Sequence, residues 1–378
     1  MKILIVIDQF DQDNNGTTIS ARRFAKALEQ RGHEVSIVST GKEAANKYTV
    51  KELKLLPVVS HIVKSQGMSF AIPSKEVLTR AIRQADVVHF YLPFALSTQG
   101  LKIAEKLQVP HTTAFHMQPE NVTYTLKLGT NTKVNDKIYF YLRDHFYNRF
   151  SHIHCPSRFI ADELKNHGYT AKLHVISNGV DDIFSYQRRE KRPQWKDKYV
   201  VTMVGRLSNE KRQDVLIEAI KKSRYEKQIQ LVLAGNGPKY NSYLKQTQNL
   251  SNPPFIKFMN QEELLEVLSM TDVYVHASDA EIEAISCIEA FACGNVPIIA
   301  NSTKSATPQF ALDERSLFEA GNSDDLANKI DYWIENEEER VNMQKQYAQS
   351  AKQYTLSKSM EKMEEMFLEA IAENKRGN

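Results

Sequence analysis

The residues best suited to chemistry lie in the second half of the chain. The apolar run Tyr199–Val204 ends at Gly205-Arg206-Leu207, and Lys211 follows five residues after the arginine. Two cations at the carboxyl end of a strand can bind a diphosphate and stabilise its charge as it leaves. A pair of solvated loop charges would show the same spacing. A second strand-like run leads into Gly235, Asn236 and Gly237, where a glycine turn lets backbone approach a ligand closely or simply makes a tight connection. Further on, Glu281 and Glu289 are separated by seven residues. If a helix begins near Ala284, the free N–H groups around Ala284 and Ile285 form a positive dipole end that seats phosphate oxygens. Glu281 then precedes the helix and Glu289 lies about one turn inside it. One carboxylate can bind sugar hydroxyls and the other a ribose, although acidic residues near a helix start also stabilise the helix by themselves.

The first half offers fewer candidates. His116 follows the run His111–Phe115 and is itself followed by Met117, Gln118, Pro119, Glu120 and Asn121. A histidine at a strand end beside such neighbours suits sugar binding or proton handling, or it is a structural core residue. Gly16 lies in the polar loop after the first strand, where backbone N–H groups can approach a phosphate. The full dinucleotide fingerprint is absent, which disfavours NAD. Asp11 and Asp13 read as a solvated loop rather than a metal site, because two carboxylates on a polar turn need no metal.

These residues need strands and helices in alternation to position them. Lys2–Ile7 is a continuous apolar run, as expected for a parallel strand buried on both faces. A helical spacing over Ile19–Arg31, a stop at Gly32 and a second run at Glu34–Ser39 complete a βαβ unit. Further strand-like runs are Asp86–Phe90, His111–Phe115, His152–Cys155 and Leu173–Ile176, with helical segments at Thr98–Leu107 and Ser157–His167. The charged stretch 181–198, with Pro193 and no period, reads as a linker. A second series follows at Tyr199–Val204, Gln230–Ala234, Ile256–Phe258, Val273–His276 and Val296–Ala300. The expected class is α/β, with two Rossmann-like doubly wound domains over 1–180 and 199–355 facing each other across a cleft. A last helical stretch at Leu356–Glu373 carries Met360, Met363, Met366, Phe367 and Ile371 on one face.

Composition narrows the class. An apolar fraction of 42% and a charged fraction of 25% suit a globular chain of 378 residues, too long for one ordinary core. Three cysteines without metal spacing read as reduced thiols. The start lacks the long apolar core of a signal peptide, and no run approaches membrane-span length, so a cytoplasmic protein is expected. Residues 1–185 carry 23 basic against 17 acidic side chains, and residues 186–378 carry 26 against 29. A basic first half favours phosphates or lipid head groups, with no sign of nucleic-acid binding.

Jointly, these motifs resemble the retaining glycosyltransferases with the GT-B fold, family four or "group one". Gly205-Arg206-Leu207 with Lys211 is similar to the family's diphosphate-binding pair, and Glu281 through Glu289 to its Glu-x7-Glu motif. Asp86-Val87-Val88-His89 and Ser177-Asn178-Gly179-Val180-Asp181 are also familiar. The resemblance implies that Arg206 and Lys211 neutralise a leaving nucleoside diphosphate. It further implies that Glu281 contacts the donor sugar, Glu289 the ribose, and His116 the transferred sugar, while the Gly16 loop approaches the substrates. It implies a nucleotide-sugar donor, a UDP-sugar in the favoured form, with no cofactor and no metal. The last helix would return to the first domain, completing it with residues 356–378. Ile282 and Glu283 depart from the Gly and Phe that many members carry after the first glutamate, which leaves the sugar open.

Within the family, Phe115–Asn121 and the basic first half are similar to bacterial glucosyltransferases acting on diacylglycerol lipids. The aromatic and basic segment Tyr139–Phe150 could then lie on a membrane surface, and Leu55–Met68 could contribute to an acceptor pocket. Peripheral contact with the inner face of a membrane follows from that reading. The alternatives are a nucleotide-sugar epimerase, with Glu120 or Glu283 as acid–base groups, and a non-catalytic sugar-binding subunit of a glycosylation complex.

Overall fold

The computed structural model describes residues 1–11, 16–55, 68–125 and 131–376. The chain divides into two compact units, Met1–Thr123 with Thr130–Asn178 and Leu356–Asn378, and Tyr124–Gly129 with Gly179–Thr355. Each is built on one parallel sheet.

The strands of the first unit are β1 (Lys2–Val6), β2 (Glu34–Ser39), β3 (Lys47–Thr49), β4 (Val87–Phe90), β5 (His111–Ala114), β6 (His152–Cys155) and β7 (Lys172–Val175). They lie in the order β3-β2-β1-β4-β5-β6-β7. β1 pairs with β2 from Lys2↔Glu34 to Val6↔Val38 and with β4 from Ile3↔Val87 to Val6↔Phe90. The order reverses direction between β1 and β4, and ligands of doubly wound sheets bind beyond the carboxyl ends at such a switch point. Ile3, Leu4, Ile5 and Val6 are all buried, because helices cover both faces of a parallel sheet. The helix Leu356–Arg376 inserts Met360, Met363, Met366 and Phe367 into the core of this unit beside Phe24, Leu28 and Tyr91. Glu364 of that helix takes both Nε and Nη2 of Arg31, at 2.7 and 2.8 Å.

The second unit has β8 (Tyr199–Val204), β9 (Ile229–Ala234), β10 (Phe255–Lys257), β11 (Val273–His276), β12 (Val296–Ala300) and β13 (Leu317–Phe318), in the order β10-β9-β8-β11-β12-β13. Here the switch point falls between β8 and β11, which pair at Val273↔Val201. The stretch 181–198, read from the sequence as a linker, is anchored on this unit. Trp195 is buried against Val200, Val232 and Met259, and Lys191 Nζ lies 2.6 Å from Asp272. Its charges are side chains of a packed segment rather than of a free tether.

Candidate functional site

In the second unit, the candidate residues gather at the carboxyl ends of β8 and β11. β8 ends at Val204, and the turn Gly205-Arg206-Leu207 is fixed by two backbone hydrogen bonds, Gly205 N to Ala234 O and Leu207 N to Asn236 O, both 3.0 Å. Gly235 is required by that neighbouring turn. A methyl group added there would lie 1.9 Å from the carbonyl oxygen of Gly205. Its freedom therefore serves contact between two strand-end turns, and Asn236 turns its Oδ1 to the N–H of Gly237 at 2.8 Å. Arg206 is half-buried, and burial lowers its pKa against a partial offset from Glu210; a guanidinium stays charged regardless.

Lys211 ends a short 3-10 turn, Asn209–Lys211, and its Nζ bonds Glu281 Oε1. The same oxygen accepts from His276 Nε2 at 3.0 Å, the last residue of β11. Burial alone would raise the Glu281 pKa, but the Lys211 charge and the His276 contact outweigh it and hold the carboxyl well below the usual range. Glu281 thus stays ionised inside the protein, held at the mouth of the sheet. Backbone pairing fixes the segment too, since Ala306 N donates to Glu281 O at 2.9 Å.

Next comes the helix Ile285–Ala292, with Ala284 as its N-cap residue at φ 67 and ψ 69. An alanine in the left-handed region costs about 1–2 kcal/mol. No cap side chain covers the helix start and no acidic residue lies in its first turn, which leaves its dipole end open to an anion. Ser286 Oγ reaches Val204 O at 3.4 Å, which sets this helix start against the end of β8 and its arginine turn. Glu289 is buried at the fifth helical position. The structure therefore brings Gly205, Arg206, Lys211, Glu281, Ala284 and Ile285 to one strand-end region. Gly235 and Asn236 support it through the backbone, and Glu289 lies one turn deeper.

In the first unit, His116 follows β5 and is buried. Its ring stacks on Tyr91 at 5.3 Å and meets His154 edge-on at 5.4 Å. Burial, then the neighbouring His154, pushes its pKa well below the ordinary histidine value. Its Nε2 has no hydrogen-bond partner among the described residues. A neutral imidazole with an unsatisfied ring nitrogen is suited to a hydroxyl group rather than to an anion. Gly16 starts the helix Gly16–Gln30, and an added methyl group would meet nothing within 4 Å. Neither packing nor backbone shape demands glycine there.

Sequence reasoning missed several members. His276 carries the contact that orients Glu281, and its position at a strand end five residues before a glutamate was the available signal. Asp8, just past β1, is raised to about 6 by burial, with the Ala71 and Asp8 backbone N–H groups pulling the other way. His89 and His154, on buried strands, complete the neutral cluster around Tyr91 and His116.

Other expectations change. Of the aromatic segment proposed for a membrane surface, Tyr139, Phe146, Tyr147 and Phe150 are core, leaving only Phe140 and Tyr141 exposed. Arg143 bonds the carbonyl of His167 and Arg149 pairs with Glu105, so the segment is a packed element before it is a docking surface. Residues 56–67 of the suggested acceptor stretch, and Asp13, lie outside the described residues. Asp11 is met by Lys47 Nζ at 2.8 Å, so its charge is satisfied without a metal.

Two family models divide the chain between them. Residues 14–183 match "Glycosyltransferase Family 4", and residues 186–351 match "Glycosyl transferases group 1". The chain belongs to the group 1 glycosyltransferases. The alpha-monoglucosyldiacylglycerol synthase of Streptococcus pneumoniae is 25% identical over 317 residues, 80% of this chain and 71% of that protein. A GDP-mannose-dependent alpha-mannosyltransferase of Corynebacterium glutamicum is 26% identical over 312 residues, 79% and 72% of the two chains. The solved sucrose-phosphate synthase of Thermosynechococcus elongatus superposes with a TM-score of 0.76 at 16% identity, covering 98% of this chain and 99% of that one. That likeness establishes the two Rossmann-like domains of this glycosyltransferase. Among its described residues, no helix is long and apolar enough to cross a membrane.

Proposed function

We propose that this glycosyltransferase transfers a hexose from a UDP-sugar to a lipid hydroxyl of the diacylglycerol type, with retention of anomeric configuration. The observation that carries this reading is the strand-end constellation of the second unit, where Arg206, the Lys211–Glu281–His276 network and an uncapped helix start converge. In this reading Arg206 and Lys211 stabilise the diphosphate as the bond to the anomeric carbon breaks, and the N–H groups at Ala284 and Ile285 take phosphate oxygens. That is the task a metal performs in other phosphate chemistry, and the two cations supply it here. Glu281 binds sugar hydroxyls, and Glu289 holds the ribose. The first-unit residue His116 bonds a substrate hydroxyl as a neutral ring, and the backbone at Gly16 approaches the substrates. Glu281, already tied to Lys211 and His276, is a poor covalent nucleophile, which favours attack of the acceptor oxygen on the face from which the diphosphate departs.

The lipid acceptor rests on the similarity to the pneumococcal synthase and on the basic first half. A cytoplasmic enzyme working at the inner membrane face fits that acceptor. The test is product mass spectrometry across UDP- and GDP-sugars, with and without vesicles containing diacylglycerol. A hexosylated lipid formed from a UDP-sugar is expected. Turnover of a GDP-sugar alone, or transfer only to soluble acceptors, would overturn the donor or acceptor assignment respectively.

A further inference from the structure

Away from the strand ends already described, β6 and β7 present a pair of histidines to the last helix. The strands pair as His152↔Lys172 and His154↔His174, and the ring nitrogens His152 Nδ1 and His174 Nε2 stand 2.9 Å apart. Glu369 of the helix Leu356–Arg376 places Oε2 4.0 Å from the first and 3.9 Å from the second. Four residues on, and so on the same helix face, Glu373 Oε2 lies 2.9 Å from His152 Nε2.

The arrangement has the dimensions of a metal site. Three atoms separated by 2.9, 3.9 and 4.0 Å lie on a circle of radius about 2.1 Å, which equals the bond length of zinc to imidazole nitrogen and carboxylate oxygen, about 2.0–2.2 Å. The tautomer suits it as well. A carboxylate only accepts, so the contact with Glu373 puts the hydrogen of a neutral His152 on Nε2 and leaves the Nδ1 lone pair facing His174 and Glu369. A carboxylate behind a ligating histidine is the usual outer support of such sites. His152 is itself buried, with its side chain 1% exposed, whereas Lys172, which now meets Glu369 Oε2 at 2.5 Å, is 56% exposed and can turn outward.

We propose that His152, His174 and Glu369 form a binding site for a divalent ion of the zinc type, with Glu373 orienting His152. Two imidazoles and one carboxylate are a borderline donor set, which favours zinc over calcium or magnesium. The ion clasps the C-terminal helix to the edge strand β7 and its neighbour β6 in the first unit, so binding couples to the stability of that unit. The site is separate from the transferase chemistry proposed above and stands or falls without it.

The experiment uses the full chain, stripped with a chelator and titrated with zinc chloride by calorimetry, with metal content per chain and thermal melting measured in parallel. One zinc ion per chain and a raised Tm are expected. Glu369→Ala, on the outer side of the cluster, and His174→Ala should each weaken binding at least tenfold, and Glu373→Gln about tenfold as an orienting group. Circular dichroism of the variants shows whether they fold, and Glu369→Ala, changing a half-exposed side chain, keeps the test available if His174→Ala does not. Absence of saturable zinc binding by the wild-type chain would mean that the two histidines merely share a hydrogen bond. Equal zinc affinity in folded Glu369→Ala and wild-type chains would place the ion elsewhere. Either result overturns the proposal.

Discussion

The strand-end regions of the two units solve opposite electrostatic problems. In the second unit a buried carboxylate, Glu281, is kept ionised by Lys211 and His276, beside the permanently charged Arg206 and an open helix start. In the first unit the corresponding region is made of His89, Tyr91, His116 and His154, whose rings touch one another and whose histidines are all pushed toward the neutral form by burial. One region is built around fixed charge and suits a nucleoside diphosphate. The other is lined by rings held neutral and suits uncharged hydroxyl groups. Two parallel sheets that share one strand order around the switch point thus acquire different chemistry from what stands at their carboxyl ends.

The largest expected effect falls on the charged side. Arg206→Ala should lose about 3 kcal/mol of transition-state stabilisation, a fall in kcat/KM on the order of 100-fold; unchanged turnover would remove the arginine from the mechanism. On the neutral side, His154 is depressed from 6.5 to about 4 by burial, against the bond to Ile176 O. The unfolded chain binds the proton first, so stability is lost as pH falls from about 6.5 toward 4, to the extent of about 3 kcal/mol for this residue. Denaturant unfolding of His154→Gln should show a flatter dependence across that window, and an unaltered slope would break the contrast.

Glu281 also loses stability as pH falls, but from an ionised folded state and in a lower pH window. Its folded pKa is depressed, so its contribution is present above the ordinary glutamate range and is lost only as pH falls below about 4.5. Glu281→Gln should cost about 2 kcal/mol at neutral pH and much less at pH 3, measured by the same unfolding experiment. A smaller effect separates two glycines. Gly16→Ala should leave stability within about 0.5 kcal/mol, since the added methyl group meets open space, whereas Gly235→Ala strikes the Gly205 backbone and should cost about 2–3 kcal/mol. If Gly16→Ala is stable yet slow, the glycine serves a ligand; full activity would show that it does not.

Much of the scaffold is legible in the sequence for a physical reason. Parallel strands covered on both faces read as largely apolar runs, as at Val296–Ala300 and Tyr199–Val204, and these coincide with observed strands, as do the more mixed stretches Glu34–Ser39, His152–Cys155 and Val273–His276. The edge strands Lys47–Thr49 and Leu317–Phe318 escape because they are short and need no such run. The charged stretch 181–198 misleads because Trp195 is buried while the lysines and arginines around it bond outward along its own unit. The motif residues Arg206, Lys211, Glu281 and Glu289 stand out through their spacing from strand ends. His276, His89 and His154 do not, because a polar residue within an apolar strand gives no indication of which ring it will touch. Gly235 is visible as a turn glycine, but its neighbour across the sheet is not. Zinc-type spacing is equally hidden at His152, His174 and Glu369, which are brought together from two strands and a helix 195 residues further along the chain than His174.

Hexosyl transfer with retention is tested most directly by the anomeric configuration of the first-formed product. Proton NMR of the wild-type reaction with a UDP-hexose and a diacylglycerol acceptor should show the donor's own anomeric configuration preserved in the new linkage. A product of inverted configuration would contradict same-face attack and the roles assigned to Arg206, Lys211 and Glu281.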